Sequence, residues 1–316
     1  MFAPGALFGP EERREARRDR EGPRDEMRAW WDPPCICFGD NLPFLRALPE
    51  EVVDFIYIDP PFNTRKERRL RRLRVKQDPQ GSRTGFQDRR YRVEVVGEVA
   101  YSDRYPDYLG FLAPRLMEAL RVLKPHGNLV LHLDQREVHY VRVLLDALWG
   151  PERFMGEIVW AYDYGGRPRR RWAPKHDTLL WYAKDPQGYR FNEDEVLRPF
   201  PAHGRAPYGR RPPGDVWWHT IVPTSGKERT GYPTQKPLGL LMRLVRAYTR
   251  PGDLVLDFFA GSGTTGEAAA RLGRTFLLMD HHPEALLRMM RRLAPYHPRL
   301  VTGHWAGWWS PPYRPL

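Results

Sequence analysis

The chain has 316 residues, of which 41% are hydrophobic, so it is long enough to bury a substantial core. Its 51 basic residues, 44 of them arginine, exceed the 39 acidic ones and give a net charge of +12, which favours a polyanionic partner. The sequence lacks an uncharged apolar stretch of about 18 residues and an apolar signal core, so we expect a soluble cytoplasmic protein without a membrane partner.

Residues 1–33 are predicted to form a charged N-terminal segment, either a frayed helix or disordered, because the run Glu11–Arg28 mixes both signs of charge. A short strand is predicted at Cys35–Phe38. Two cysteines cannot complete a metal site unaided, so no metal is predicted. Asp40 follows this strand and precedes leucines at helical spacing, which is typical of a helix N-cap.

A buried strand is predicted at Phe55–Ile58, and it must end at Asp59 because two prolines follow. Prolines cannot donate to a sheet, and they force the preceding residue into extended geometry. The turn Asp59-Pro60-Pro61-Phe62 therefore places a carboxylate and an aromatic ring at the carboxyl end of a strand. Ligands bind at that edge in open α/β sheets.

A basic insert at 63–92 follows this turn, and its part Arg65–Arg92 holds twelve basic residues against three acidic ones. It contains turn-forming residues and no clear apolar period, so it is either a solvated segment or a loop that grips phosphate groups and becomes ordered on nucleic acid. We favour the phosphate-binding loop because the insert leaves the Asp59 turn directly. The candidate contacts are Arg68, Arg69, Arg71 and Arg72.

An amphipathic helix at Tyr108–Leu123, a strand at Asn128–Leu133 and a helix from Asp134 to Leu148 are predicted next. His132 lies inside that strand, and we interpret it as a core histidine with its hydrogen bonds satisfied. No neighbouring residue supports a catalytic role for it.

Aromatic and basic residues alternate through residues 154–230, with strands predicted at Glu157–Tyr162 and Thr178–Tyr182. The pattern fits either an aromatic core with surface arginines or a nucleic-acid contact, and we favour the contact. The candidate contacts are Arg167, Arg169, Arg170, Arg171 and Lys175.

A βαβ unit is predicted near the end of the chain, after a helix at Leu238–Tyr248. A strand from Leu254 leads into the glycine-rich Gly261–Gly266, and a second strand ends on Asp280. Glycines let the backbone approach a ligand, and an acidic residue about 20 positions on can bind ribose. Taken alone, this unit fits a dinucleotide or another adenosine cofactor equally well. The tail 295–316 could pack on the body or form an oligomer contact.

Three motifs together resemble the amino-group DNA methyltransferases: the Asp59–Phe62 turn, the cofactor loop Phe259–Thr265, and the segment Gly231–Pro237 that precedes this loop. The catalytic motif precedes the cofactor motif, which is the permuted order of the family's β group. The resemblance covers about Cys37 to Leu293. It implies an α/β fold, the Rossmann-like sheet of class I S-adenosylmethionine-dependent methyltransferases, circularly permuted and carrying an inserted target-recognition region.

The resemblance also implies a domain organisation and residue roles. Residues 34–153 would form the catalytic half, 154–230 the target-recognition region, and 231–294 the cofactor half. Asp59, Pro60, Pro61 and Phe62 would be catalytic, with Asp59 and the Pro60 carbonyl accepting the amino hydrogens. Lys236 would pair with the methionine carboxylate. The implied cofactor-binding residues are Asp40, Thr234, Gln235, Lys236, Asp257, Phe259, Ala260, Gly261, Ser262, Gly263, Thr264, Thr265 and Asp280.

The implied activity is transfer of a methyl group from S-adenosylmethionine to adenine N6 in double-stranded DNA, with the target base flipped out of the helix. Aspartate at the first motif position usually accompanies adenine, although cytosine N4 could use the same turn. An RNA methyltransferase and an inactive DNA-binding relative are less favoured hypotheses. A cognate restriction endonuclease and a homodimer are left open as partners, and DNA binding implies association with the nucleoid.

Overall fold

The computed structural model describes residues 31–61, 63, 66–78, 80, 83–84, 90–103, 105–166, 168–196, 198–200, 209–211, 214–223 and 226–303. The N-terminal segment up to residue 30, Phe62, Arg167 and the tail from residue 304 lie outside these ranges. None of the helices in the described ranges has the length and apolar character needed to cross a bilayer. The chain divides into two compact units, residues 61–108 and the remainder.

Both strands and helices contribute to the described ranges. The strands are β1 Cys35–Phe38, β2 Val53–Ile58, β3 Lys66–Gln77, β4 Arg83–Thr84, β5 Arg90–Asp103, β6 Leu123–Leu133, β7 Phe154–Ala161, β8 His176–Ala183, β9 Arg198–Phe200, β10 Gly209–Arg211, β11 Val216–Trp218, β12 Leu254–Asp257, β13 Thr275–Asp280 and β14 Arg299–Thr302. The helices are α1 Asn41–Ala47, α2 Tyr108–Val122, α3 Val138–Trp149, α4 Glu193–Val196, α5 Leu238–Tyr248, α6 Thr264–Arg271 and α7 Pro283–Leu293.

A nine-stranded sheet organises the larger unit, in the order β11-β7-β8-β6-β2-β12-β13-β1-β14. Its strands are parallel except β8, which runs antiparallel to both β6 and β7. The strands β1, β2 and β12 are buried along their whole length, as expected for parallel strands covered on both faces. This architecture confirms the predicted Rossmann-like α/β fold.

The two predicted site motifs leave neighbouring strands at one edge of this sheet. Strands β2 and β12 are parallel and pair Val255 with Phe55 and Leu256 with Ile56. The Asp59 turn and the glycine-rich loop therefore begin side by side, although about 200 residues separate them in sequence. This is the carboxyl edge, where open α/β sheets bind ligands.

A buried carboxylate ties three central strands together near the opposite edge. Asp54 is 1% exposed, and its Oδ2 accepts hydrogen bonds from Lys124 Nζ and Leu254 N at 2.8 and 2.9 Å. Its Oδ1 contacts His126 Nε2 at 2.8 Å. Burial alone would raise the pKa of Asp54, but these three hydrogen bonds together outweigh it and the pKa falls below its usual value.

The basic insert forms an antiparallel ribbon of strands, where the sequence predicted a loop that becomes ordered on nucleic acid. Strand β3 pairs with β5 along its whole length, and β4 adds a short third strand. The register shifts between Arg72 and Leu73, because the partner strand carries one extra residue there. Leu70 and Leu73 are three positions apart on β3, so the strand lacks the simple alternation that would predict it. The ribbon also extends beyond the predicted boundary at residue 92.

Three strands from residues 154–230 are part of the main sheet, while β9 and β10 pair with each other in a separate sheet. Strands β7, β8 and β11 all belong to the nine-stranded sheet, which therefore continues across the predicted boundary at 154. Trp160 and Trp217 are buried in the core, whereas Trp172 and Trp218 are 98% and 75% exposed. The aromatic residues of this window therefore divide between core and surface. Strand β14, which the sequence did not predict, pairs with β1 and joins part of the tail to the sheet.

Candidate active site

Asp59 directly follows β2 at the carboxyl edge of the sheet, and its side chain is 15% exposed. Its Oδ2 lies 2.6 Å from Lys236 Nζ, and the Lys236 side chain is 10% exposed. Its Oδ1 is buried and has no hydrogen-bond partner among the described residues. A buried acceptor without a partner costs about 1–3 kcal/mol, so this oxygen favours a ligand that donates a hydrogen.

The rest of the turn is partly described. Pro60 is buried and closes the first segment of the larger unit, while Pro61 opens the smaller one. Asn63 follows with a left-handed backbone, φ +48°, and its Oδ1 accepts a hydrogen bond from Tyr105 N at 3.0 Å. Phe62, the last residue of the predicted catalytic turn, lies outside the described ranges.

The glycine-rich loop connects β12 to α6 and needs its glycines. Gly263 has φ +75°, and a Cβ there would lie 2.9 Å from Met289 Cγ. Gly261 has φ +50°, and its Cβ would lie 3.1 Å from the ring of Tyr232. A side chain at either position would be strained by both backbone and neighbours. The two glycines thus allow the loop to pack closely against Tyr232 and Met289.

Asp280 ends β13 and holds this loop. Its Oδ2 accepts a hydrogen bond from Gly261 N at 2.9 Å, and its Oδ1 accepts one from His282 N at 2.8 Å. A carboxylate has about four lone-pair sites, so each oxygen can accept a further hydrogen from a ligand. Burial raises the pKa of Asp280, and the two backbone hydrogen bonds oppose that shift.

Asp257 lies beneath the loop and is 2% exposed. Its Oδ2 accepts from the Thr265 hydroxyl at 2.6 Å and its Oδ1 from Phe259 N at 3.0 Å. Burial raises the pKa of Asp257 to about 7, while these two hydrogen bonds act in the opposite direction. Both hydrogen bonds are internal to the loop region, and the cofactor contact implied for Asp257 stays a prediction.

A buried arginine that no sequence motif indicated supports the loop from behind. The Arg292 side chain is 4% exposed and lies 2.7 Å from Glu267 Oε2. Its Nη1 donates to the hydroxyls of Ser262 and Thr264 at 3.0 and 2.6 Å. These two predicted cofactor residues thus use their side chains within the protein. The chain has 44 arginines, and nothing in the sequence distinguishes Arg292 from the others for such a role.

The structure favours the capping interpretation of Asp40. It is the N-cap of α1, where its Oδ1 accepts from Leu42 N at 3.1 Å. Arg115, another residue that no motif indicated, donates to the same oxygen at 2.8 Å and to Asn41 Oδ1 at 2.6 Å. Asn41 in turn donates to Phe258 O, which ties the start of α1 to the glycine-rich loop.

Hydrogen bonds of the Gln235 side chain hold together the segment that precedes α5. Its Oε1 accepts from Thr230 N and from the Thr230 hydroxyl, both at 2.8 Å, and its Nε2 donates to Glu228 O at 2.7 Å. Thr234 is half-buried beside it, and Ala260 is buried at the start of the glycine-rich loop. This bracing fixes the backbone that carries Lys236.

His132 is a satisfied core histidine, as predicted, and belongs to a buried chain of hydrogen bonds. It is fully buried, with Nε2 3.2 Å from Asp177 Oδ2 and Nδ1 2.8 Å from the Tyr57 hydroxyl. The Tyr162 hydroxyl donates to Asp177 Oδ1 at 3.1 Å. Burial alone would raise the pKa of Asp177, but its contacts with His132, the charge of Lys236 and the Tyr162 bond hold it below its usual value.

A cavity of about 520 Å³ opens at the ends of β7 and β11, on the same edge of the sheet as Asp59. Its walls include Tyr162, Tyr164 and Trp218. The loop that leaves its rim exposes three predicted DNA contacts, Arg169, Arg170 and Arg171. Lys175 donates to Tyr164 O at 3.0 Å and so holds the base of this loop. The predicted contacts Arg68, Arg69, Arg71 and Arg72 lie on β3 in the smaller unit.

Comparison with known proteins gives a family match. A model of the DNA methylase family matches residues 53–290, which is well over half of the chain. The chain is 29% identical over 263 residues to type II methyltransferase M.HpaI of Haemophilus parainfluenzae, covering 83% of this chain and 74% of that protein. It is 29% identical over 271 residues to DNA adenine methyltransferase YhdJ of Escherichia coli (strain K12), covering 82% of each.

Solved structures with similar folds include PvuII DNA methyltransferase, which is cytosine-N4-specific. It matches with a TM-score of 0.59 and 18% identity, over 81% of this chain and 85% of that one. The complex of M1.HpyAVI with S-adenosylmethionine matches with a TM-score of 0.51 and 22% identity, over 82% and 98% of the two chains. At these identities the two structures support the fold alone.

Proposed function

This chain belongs to the DNA methylase family, and on that premise we propose that it methylates adenine N6 in double-stranded DNA, using S-adenosylmethionine. The observation that carries the proposal is the side-by-side origin of the Asp59 turn and the glycine-rich loop on the central strands β2 and β12. This arrangement brings a base-binding carboxylate next to a cofactor loop.

The chemistry requires an acceptor such as Asp59. An exocyclic amino nitrogen is a weak nucleophile because its lone pair is delocalised into the base. Asp59 Oδ1, buried and without a partner among the described residues, accepts one amino hydrogen, and the Pro60 carbonyl accepts the other. These hydrogen bonds localise the lone pair on nitrogen and align it for transfer. Fixed acceptors of this kind lower a barrier mainly by positioning and electrostatics.

The cofactor proposal rests on the glycine-rich loop and Asp280. S-adenosylmethionine supplies, when bound, a methyl group on a positively charged sulfur. Gly261 and Gly263 are needed for the compact shape of this loop, since a Cβ at either position would lie 3.1 Å or less from Tyr232 or Met289. Asp280 retains lone pairs for the ribose hydroxyls. These residues fit an adenosine cofactor, and Asp257 and Arg292 hold the loop in the required shape.

Replacing Asp280 with alanine is expected to weaken S-adenosylhomocysteine binding by about 1–3 kcal/mol. The change removes the proposed ribose acceptor and the partner of Gly261 N. Isothermal titration calorimetry measures the loss, with Asp215→Ala as a control because Asp215 is exposed. Equal affinity in the two variants would contradict the assignment of Asp280. Tighter binding of NAD than of S-adenosylhomocysteine by the wild-type protein would reject the cofactor proposal.

The basic ribbon is proposed to contact the DNA backbone. Glutamine at its four candidate positions should weaken binding similarly on all DNA sequences and flatten the salt dependence, by a slope of about 0.9 for each phosphate group that is no longer neutralised. The positions are Arg68, Arg69, Arg71 and Arg72. A control variant carries glutamine at four exposed arginines of the larger unit, Arg46, Arg250, Arg271 and Arg291. Equal salt slopes for both variants, measured by fluorescence anisotropy, would show that the ribbon does not touch phosphate.

Nucleoside analysis tests the reaction. DNA incubated with the protein and S-adenosylmethionine is digested and analysed by mass spectrometry, and we expect N6-methyladenine. The similarity to YhdJ, a DNA adenine methyltransferase, supports adenine. Cytosine N4 is the second candidate, since PvuII DNA methyltransferase shares the fold. N4-methylcytosine alone would reject adenine and retain the enzyme class, whereas methylation of RNA but not DNA would reject the proposal.

An endonuclease partner, a homodimer and association with the nucleoid stay predictions.

A further inference from the structure

The close contact between Lys236 and Asp59 suggests a role for this lysine beyond the cofactor site. Lys236 lies just before α5, while Asp59 follows β2, much earlier in the chain. Their charged atoms are 2.6 Å apart, and both side chains are largely buried, at 10% and 15% exposure. Removing one partner from such a pair leaves a buried charge uncompensated. Each side chain therefore restricts the other strongly.

The contact also decides which Asp59 oxygen is available. Oδ2 is engaged by the ammonium group, while Oδ1 has no hydrogen-bond partner among the described residues. A carboxylate held at one oxygen cannot rotate freely about its side-chain bonds. The pair therefore presents Oδ1 in one orientation, as a fixed acceptor.

The surroundings keep Lys236 in place. Gln235 braces the preceding backbone through its hydrogen bonds to Thr230 and Glu228. A second carboxylate, Asp177, experiences the positive charge of Lys236 and is itself held by His132 and Tyr162. The ammonium group thus belongs to a charged, buried arrangement around the catalytic turn.

We propose that Lys236 is a positioning residue for methyl transfer, whose ammonium group fixes the Asp59 carboxylate so that Oδ1 receives the target amino group. The proposal rests on the function proposed above. It differs from the role implied by family resemblance, in which Lys236 pairs with the methionine carboxylate. The positioning role predicts that loss of Lys236 lowers kcat, whereas the cofactor role predicts that it lowers the affinity for the cofactor.

The test compares Lys236→Met, which removes the charge, with Lys236→Arg, which keeps it, and with the control Lys227→Met at an exposed lysine of the same segment. Steady-state methylation of DNA gives kcat and KM. Calorimetry gives the affinities for S-adenosylhomocysteine and for 5′-methylthioadenosine, which lacks the amino-acid carboxylate. Binding of 5′-methylthioadenosine also reports whether each variant is folded.

We expect Lys236→Met to lower kcat at least tenfold and to change the affinity for S-adenosylhomocysteine less than threefold. Lys236→Arg should recover part of the rate, and Lys227→Met should match the wild-type protein. A loss of S-adenosylhomocysteine affinity of tenfold or more, with 5′-methylthioadenosine binding unchanged, would assign Lys236 to the cofactor and overturn the inference. An unchanged kcat would also overturn it. Absence of DNA methylation by the wild-type protein would instead reject the proposed function.

Discussion

Alanine at Asp59 is expected to reduce the rate of DNA methylation by at least about 10²–10³-fold, while S-adenosylhomocysteine binding stays close to that of the wild-type protein. The variant loses Oδ1, the proposed acceptor for the target amino group. It leaves the supports of the glycine-rich loop unchanged, because Asp257, Asp280 and Arg292 hold the loop through their own hydrogen bonds and ion pair. The loss should therefore appear in kcat.

Methyl incorporation into DNA and calorimetry measure these two quantities on the same preparations. Asp194→Ala serves as the matched control, because Asp194 is an exposed carboxylate on the short helix α4. A fall in cofactor affinity as large as the fall in rate would place Asp59 in the cofactor site. Full activity of Asp59→Ala would contradict the assignment of the catalytic turn.

Alanine at Arg292 is expected to destabilise the protein by about 1–3 kcal/mol, because it removes the buried partner of Glu267 and leaves that carboxylate only the more exposed Arg271. The same change removes hydrogen bonds to Ser262 and Thr264, so the glycine-rich loop should bind S-adenosylhomocysteine more weakly. Burial lowers the pKa of Arg292, and the charge of Glu267 opposes that shift.

Arg271 provides a matched control for this prediction. It also pairs with Glu267, at 2.6 Å, but its side chain is 51% exposed. An exposed pair contributes about 0–1 kcal/mol, so Arg271→Ala should unfold close to the wild-type denaturant concentration. Urea unfolding followed by circular dichroism measures both variants. Equal stabilities for the two alanine variants would show that burial of Arg292 does not add to the free energy of unfolding.

The sequence predicted those parts of the fold that depend on local pattern. Helix α5 has the predicted limits, and β2 ends where Pro60 requires it to end. The matched family model confirms the resemblance drawn from the Asp59 turn and the glycine-rich loop. Short motifs were sufficient for this because proline and glycine restrict the backbone directly.

Long-range pairing could not be predicted from the sequence. Strand β14 has four mostly exposed residues and exists because it pairs with β1, more than 250 positions earlier. The ribbon was missed because Leu70 and Leu73 are three positions apart on β3, so the strand lacks the period-2 alternation that predicts one. In the site, Arg115 and Lys236 find their partners 75 and 177 residues away, and no periodicity encodes such contacts.

The buried Asp54 has a consequence for how the chain reaches its native state. Its hydrogen-bond partners lie 70, 72 and 200 residues away, so its carboxylate is satisfied only after three distant segments have met. Closing such long loops costs conformational entropy before the new contacts can stabilise the chain. Folding therefore becomes slower as contacts become less local. We therefore expect the central strands to assemble late and slowly. The catalytic turn, which extends from the same strand as Asp54, would acquire its geometry only in that final step.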